Sequence, residues 1–70
     1  MKSIATNELK PGDVFTKEIK LRNRTSYEVM EAPKDKNFIL IKERGIPANS
    51  TKMEVSDKKK VYYLRNVFES

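Results

Sequence analysis

The chain reads as a mainly β domain: a small five-stranded barrel or rolled antiparallel sheet, with at most one short helical turn near the N-terminus. Three observations predict this. Short apolar runs of strand length recur along the chain, at Val14-Phe15, Tyr27 to Met30, Phe38 to Ile41 and Val61 to Leu64. Clusters of turn-forming residues separate them at nearly even intervals. No window of about eleven residues sustains the three-to-four-residue apolar spacing of an amphipathic helix. Short strands joined by brief polar turns are the pattern of small barrels and rolled sheets.

The elements follow in order. Thr6-Asn7-Glu8-Leu9 is the one stretch able to start a helical turn, capped by Thr6 or Asn7, and Pro11 with Gly12 stops it. Lys10-Pro11-Gly12-Asp13 is a turn signal, because Pro fixes φ and Gly supplies a backbone state that other residues resist. Val14–Leu21 is the first predicted strand, with Phe15, Ile19 and Leu21 at alternating positions. Arg22-Asn23-Arg24 ends it, and Asn tolerates a left-handed conformation. Ser26–Ala32 is the second strand, with Tyr27 and Val29 on one face and Glu28 and Met30 on the other. Pro33 to Asn37 is the next break. Phe38–Glu43 is the third strand, apolar on both faces at its start as a central strand is. After Gly45 to Ser50, Lys52–Ser56 is a short fourth strand that places Met53 and Val55 together. Ser56 to Lys60 is the last turn, and Val61–Phe68 the fifth strand, with large apolar or aromatic residues on both faces. The expected core is Val14 or Phe15, Ile19, Tyr27 or Val29, Leu40, Val55, and one of Tyr62 and Tyr63.

Seventy residues make one domain, spanning 1–70. A chain of this length buries only about 60% of the surface its unfolded form exposes. It has no cysteine and no histidine. Disulfides, thiolate metal sites and imidazole catalysis are therefore excluded, and no metal or cofactor is expected. The carboxylate pairs Glu28 with Glu31, Asp13 with Glu18, and Glu54 with Asp57 read as solvated strand faces and turns. On a strand, positions three apart point to opposite faces, so Glu28 and Glu31 do not converge. With only Gly12 and Gly45, the chain has no glycine-rich phosphate loop. The serines and threonines have no histidine partner. The expectation is a binding module and not an enzyme. The longest apolar run, Phe38 to Ile41, is far short of a membrane span, and the first residues lack the apolar segment of a signal peptide. A cytoplasmic protein without a membrane partner is expected.

The formal charge of +5 comes from fifteen Lys and Arg against ten Asp and Glu. Lys58, Lys59 and Lys60 sit directly before Val61-Tyr62-Tyr63-Leu64-Arg65; Lys34 and Lys36 precede Phe38; Arg22 and Arg24 precede Tyr27. Cations beside aromatic rings are what single-strand binding uses, since cations follow the phosphates and rings stack on bases. Lys58, Lys59, Lys60, Tyr62, Tyr63, Arg65, Lys34, Lys36, Arg22 and Arg24 are the candidate DNA or RNA contacts. Tyr62 and Tyr63 are adjacent on one strand, so their rings face opposite sides. In the competing reading, the lysines guard turns and strand edges against aggregation and the aromatics fill the core. The alternative functions are a protein-interaction module using an exposed strand edge or apolar patch, and a homodimer joined through the fifth strand.

Ala5-Thr6-Asn7-Glu8-Leu9-Lys10-Pro11-Gly12-Asp13-Val14, continued by Ser26-Tyr27-Glu28-Val29-Met30-Glu31, resembles the opening of bacterial elongation factor P. The first domain of that family is an SH3-like barrel of the KOW type. The resemblance covers about half of the chain and implies an SH3-like fold. The family's ribosome-acting loop, rich in glycine and lysine, is replaced here by Pro33-Lys34-Asp35-Lys36-Asn37, which has no glycine, so its translational function is not implied. Leu9 to Phe15, Leu21 to Arg24 before Tyr27-Glu28-Val29, and Val61 to Asn66 are also similar to short uncharacterised small-barrel proteins of phages and their bacterial hosts. That likeness implies a phage- or host-related accessory role of the binding kind.

Overall fold

A computed structural model describes residues 2–18, 25–47 and 49–69. It contains six strands: β1 (Lys2–Ala5), β2 (Asp13–Thr16), β3 (Ser26–Glu31), β4 (Phe38–Glu43), β5 (Thr51–Glu54) and β6 (Lys60–Asn66). All pairings are antiparallel, in one sheet of order β1-β6-β2-β3-β4-β5. A 3-10 turn, Thr6–Glu8, is the only helical element among the described residues. No helix among them is long and apolar enough to cross a membrane.

The expectation of five strands is corrected to six. The added strand, β1, carries Ile4 as its one large apolar residue, too little for a period to show. It is held by pairing along β6, from Lys2 opposite Tyr63 to Ala5 opposite Lys60. The sheet runs from β1 at one edge to β5 at the other, with no ladder joining them. One side chain links the two regions. The Thr6 hydroxyl donates to the Ser56 carbonyl at 3.1 Å and accepts from the Ser56 N–H at 2.9 Å, while the Thr6 N–H donates to the Lys59 carbonyl at 2.7 Å. These bonds occupy the hydroxyl of a fully buried threonine that has no side-chain capping role. The expected Thr6 or Asn7 cap is thus absent, and Ala5 occupies the cap position.

The Lys10–Asp13 turn has the bond that such a turn requires, Asp13 N–H to Lys10 carbonyl at 3.0 Å. Gly12 has φ +90°, the state that glycine reaches without steric cost. It is buried beneath the ring of Phe68, which a Cβ at this position would strike.

One face of the sheet builds the core: Phe15, Val29, Ile39, Ile41, Met53 and Val61, with Leu9 packed in from the segment before β2. Ile4, Tyr27, Ala32 and Val55 pack around it. The Phe15 and Tyr27 rings stack with centroids 5.6 Å apart.

Two core expectations are corrected. On β4 the core residues are Ile39 and Ile41, and Leu40 is half-buried on the opposite face beside Glu31 and Lys52. On β6 the core residue is Val61, and neither Tyr62 nor Tyr63 belongs to the core cluster; both are half-buried. Ile19 lies outside the described residues. Val14 is buried too, but outside the core cluster, on the far face between Glu28 and Arg65.

Candidate nucleic-acid interface

The turn between β3 and β4 carries Lys34 and Lys36, both exposed, and ends on Phe38. The N–H of Lys36 donates to the Pro33 carbonyl at 3.4 Å, folding the turn back on itself. Beside it passes the segment leading from the 3-10 turn into β2. Together they line a groove of about 500 Å³ in which Lys10, Lys34, Lys36 and Phe38 join Pro11 and Pro33. Leu9, Ile39 and Val55 also line it and connect it to the core. No carboxylate is among its described lining residues. Phe38 also carries the Lys52 ammonium 4.7 Å from its ring centroid, a cation–π contact from the neighbouring strand.

Lys10 is the groove residue that the sequence pattern did not single out. It sits in a turn and is followed by Pro11-Gly12-Asp13 with no aromatic residue directly after it, and only the chain's return past Pro33 brings it near Lys34. Its ammonium meets Glu69 at 2.9 Å, in an exposed pair worth little to stability. That hydrogen bond and the Glu69 charge hold the Lys10 pKa above its ordinary value.

The other candidate residues lie elsewhere. Lys58 and Lys59 are exposed on the turn after β5, where both N–H groups donate to the Ser56 hydroxyl, at 3.3 and 3.0 Å. Lys60 opens β6 opposite Ala5. Alternation along β6 places Lys60 and Tyr62 on the face away from the core, and Val61 and Tyr63 on the core face. Arg65 is exposed opposite Val14, beyond a register shift. Tyr63 lines a separate small cavity of about 270 Å³ with Lys2, Ile4, Glu8, Lys10 and Asp13. None of Lys58, Lys59, Lys60, Tyr62, Tyr63 and Arg65 lines the groove. Arg22 and Arg24 lie outside the described residues.

Loss of water around the Tyr63 phenol raises its pKa, and the charges of Asp13 and Glu69 add to this. Groups whose folded pKa lies above the unfolded value support the fold below the unfolded pKa, and that support is lost as pH rises through the folded one. Lys10 and Tyr63 both act in this sense. Thermal stability should therefore fall as pH rises past about 10, where unfolded tyrosine and lysine begin to lose protons. Tyr63→Phe should flatten the fall when melting is followed by circular dichroism from pH 8 upward. An unaltered alkaline slope in that variant would remove Tyr63 as a contributor.

A third concavity, of about 600 Å³, includes Met30, Lys42, Arg44, Ile46 and Pro47, with Glu28 and Glu43. Met30 and Ile46 are two of the three large apolar side chains exposed among the described residues. Arg44 lies 3.5 Å from Glu28 here. Among the described residues no group of acidic, histidine or cysteine side chains is arranged to hold a metal ion. The chain matches no protein-family model, no curated protein and no solved structure.

Proposed function

We propose that this protein is a non-enzymatic binding module that takes single-stranded nucleic acid with low sequence specificity. The observation that carries the reading is the groove that Lys34, Lys36 and Phe38 line together with Lys10, whose ammonium is paired with Glu69, and which has no carboxylate among its described lining residues. Phosphates following the Lys34 and Lys36 ammonium groups and a base against the phenyl ring are the two interactions that sequence-tolerant strand binding combines. Lys58, Lys59, Lys60 and Arg65 add positive charge outside the groove and strengthen long-range attraction more than they direct contact. An SH3-like barrel, as the resemblance to short uncharacterised small-barrel proteins of phages and their bacterial hosts implies, is the architecture we infer. Its support is the Thr6–Ser56 linkage between the region after β1 and the region after β5.

The test is fluorescence-anisotropy titration of short DNA and RNA strands at several salt concentrations. Wild-type affinity should fall with salt, with a log–log slope of about −0.7 for each phosphate neutralised. Lys34→Gln with Lys36→Gln should weaken binding and flatten the slope by about 0.7 per lost contact. Lys58→Gln with Lys59→Gln and Lys60→Gln should have the smaller effect. Equal effects of the two sets would remove the groove as the contact surface. Absence of binding at low salt would overturn the reading and favour a protein-interaction module, for which the exposed Met30 and Ile46 in one concavity are the supporting observation.

A further inference from the structure

Strand β5 is an edge of the sheet, paired on one side only, with β4. The Val55 N–H donates to the Asn37 carbonyl at 2.9 Å, which sets the phase of the ladder. In an antiparallel pair, backbone bonds to one neighbour recur at every second residue. Thr51, Met53 and Val55 therefore turn their backbone groups towards β4, and Lys52, Glu54 and Ser56 turn theirs outward. Ser56 is already satisfied, because the Thr6 hydroxyl takes both its N–H and its carbonyl. The outward groups of Lys52 and Glu54 remain. Their side chains share the face away from the core, and Met53 points into it.

We propose that this edge pairs with β5 of a second copy of the chain, antiparallel about a two-fold axis at Met53. Three registers bring outward backbone groups opposite each other, and side-chain charge chooses among them. One sets Lys52 against Lys52 of the other copy, and another sets Glu54 against Glu54. The register centred on Met53 sets Lys52 against Glu54 twice, once on each side of the axis. Opposite charges directly across a ladder stabilise it and like charges destabilise it. In this register each Lys52–Glu54 pair also exchanges both of its backbone bonds, as the narrow pairs of an antiparallel ladder do. A lone lysine on an edge blocks sheet extension. A lysine and a glutamate two residues apart restrict it to one register and one partner, a copy of themselves. The strand is short, so the dimer is weak and forms at high protein concentration.

Sedimentation equilibrium of the full chain across micromolar to millimolar concentration is the test. Wild type should show a concentration-dependent dimer. Lys52→Glu alone, and Glu54→Lys alone, should each weaken it by about ten-fold or more, since each turns both cross-copy pairs into like charges. Lys52→Glu combined with Glu54→Lys in one chain should restore it. An equimolar mixture of the two single variants should also associate, because the heterodimer regains both opposite-charge pairs. Circular dichroism confirms that each variant is folded. A wild type that stays monomeric at millimolar concentration would overturn the proposal, as would dimerisation indifferent to both single changes or a double variant as weak as the singles.

Discussion

Phe15→Ala is expected to remove about 3–5 kcal/mol of stability, the cost of truncating a buried phenylalanine. Phe15 has no exposed surface, stacks on Tyr27, and sits on β2 between β6 and β3. The cavity it leaves cannot collapse from the backbone side, because β2 is bonded on both edges. Domains of this kind have total stabilities of about 5–15 kcal/mol, so the variant should unfold at much lower urea. Leu40→Ala serves as the internal control. Although Leu40 lies in the most apolar run of the chain, its side chain is half-buried on the far face, and its truncation should cost only about 1 kcal/mol. Urea midpoints of the two variants measure the difference. Equal losses would mean that β4 turns Leu40, and not Ile39 and Ile41, into the core.

That contrast marks what the sequence pattern conveys and where it stops. The Phe38–Glu43 strand was legible to its ends, because an apolar run bounded by Asn37 and a glycine leaves little freedom. Its phase was not legible: four successive apolar residues carry no alternation, so only the neighbouring strands decide which pair faces inward. Ser26–Glu31 alternates, and its faces read correctly, with Val29 buried and Met30 exposed. The Pro11-Gly12 turn was legible because its chemistry is local. β1 was not, since its partner on β6 is nearly sixty positions away. The candidate interface divides in the same way. Lys34, Lys36 and Phe38 are sequence neighbours that share the groove, whereas Lys10 joins them by tertiary return of the chain. The opposite faces of Tyr62 and Tyr63 follow from strand period, but that both are half-buried outside the core cluster does not.

Asp13→Ala is expected to cost about 3 kcal/mol, because it unties the turn into β2 from the end of β6. The Asp13 carboxylate accepts from the Lys10 N–H at 2.9 Å and from the Asn66 side-chain amide at 2.7 Å. The same amide donates to the Pro11 carbonyl at 3.2 Å, and the Asn66 side-chain oxygen accepts the Phe68 N–H at 2.8 Å. Asp13 is 2% exposed and Asn66 5%, so the bond between their side chains is shielded from water, while the bond from the Lys10 N–H is partly buried. Bonds to a charged acceptor each contribute about 1.5–3 kcal/mol, and a buried donor left without a partner costs about 1–3. Alanine removes the acceptor of both bonds, including the buried one from Asn66. Asp13→Asn keeps the shape and one acceptor oxygen, so its loss should be smaller. Asn66→Ala should also destabilise, and the double variant should cost less than the sum of the singles by about 1–3 kcal/mol, the coupling of residues in one bonded network. Chemical denaturation of the four variants measures this directly. Additive losses, or an Asp13→Ala cost below about 1 kcal/mol, would show that the turn and the end of β6 are held by backbone bonds alone, chiefly the 2.8 Å bond from the Val67 N–H to the Gly12 carbonyl.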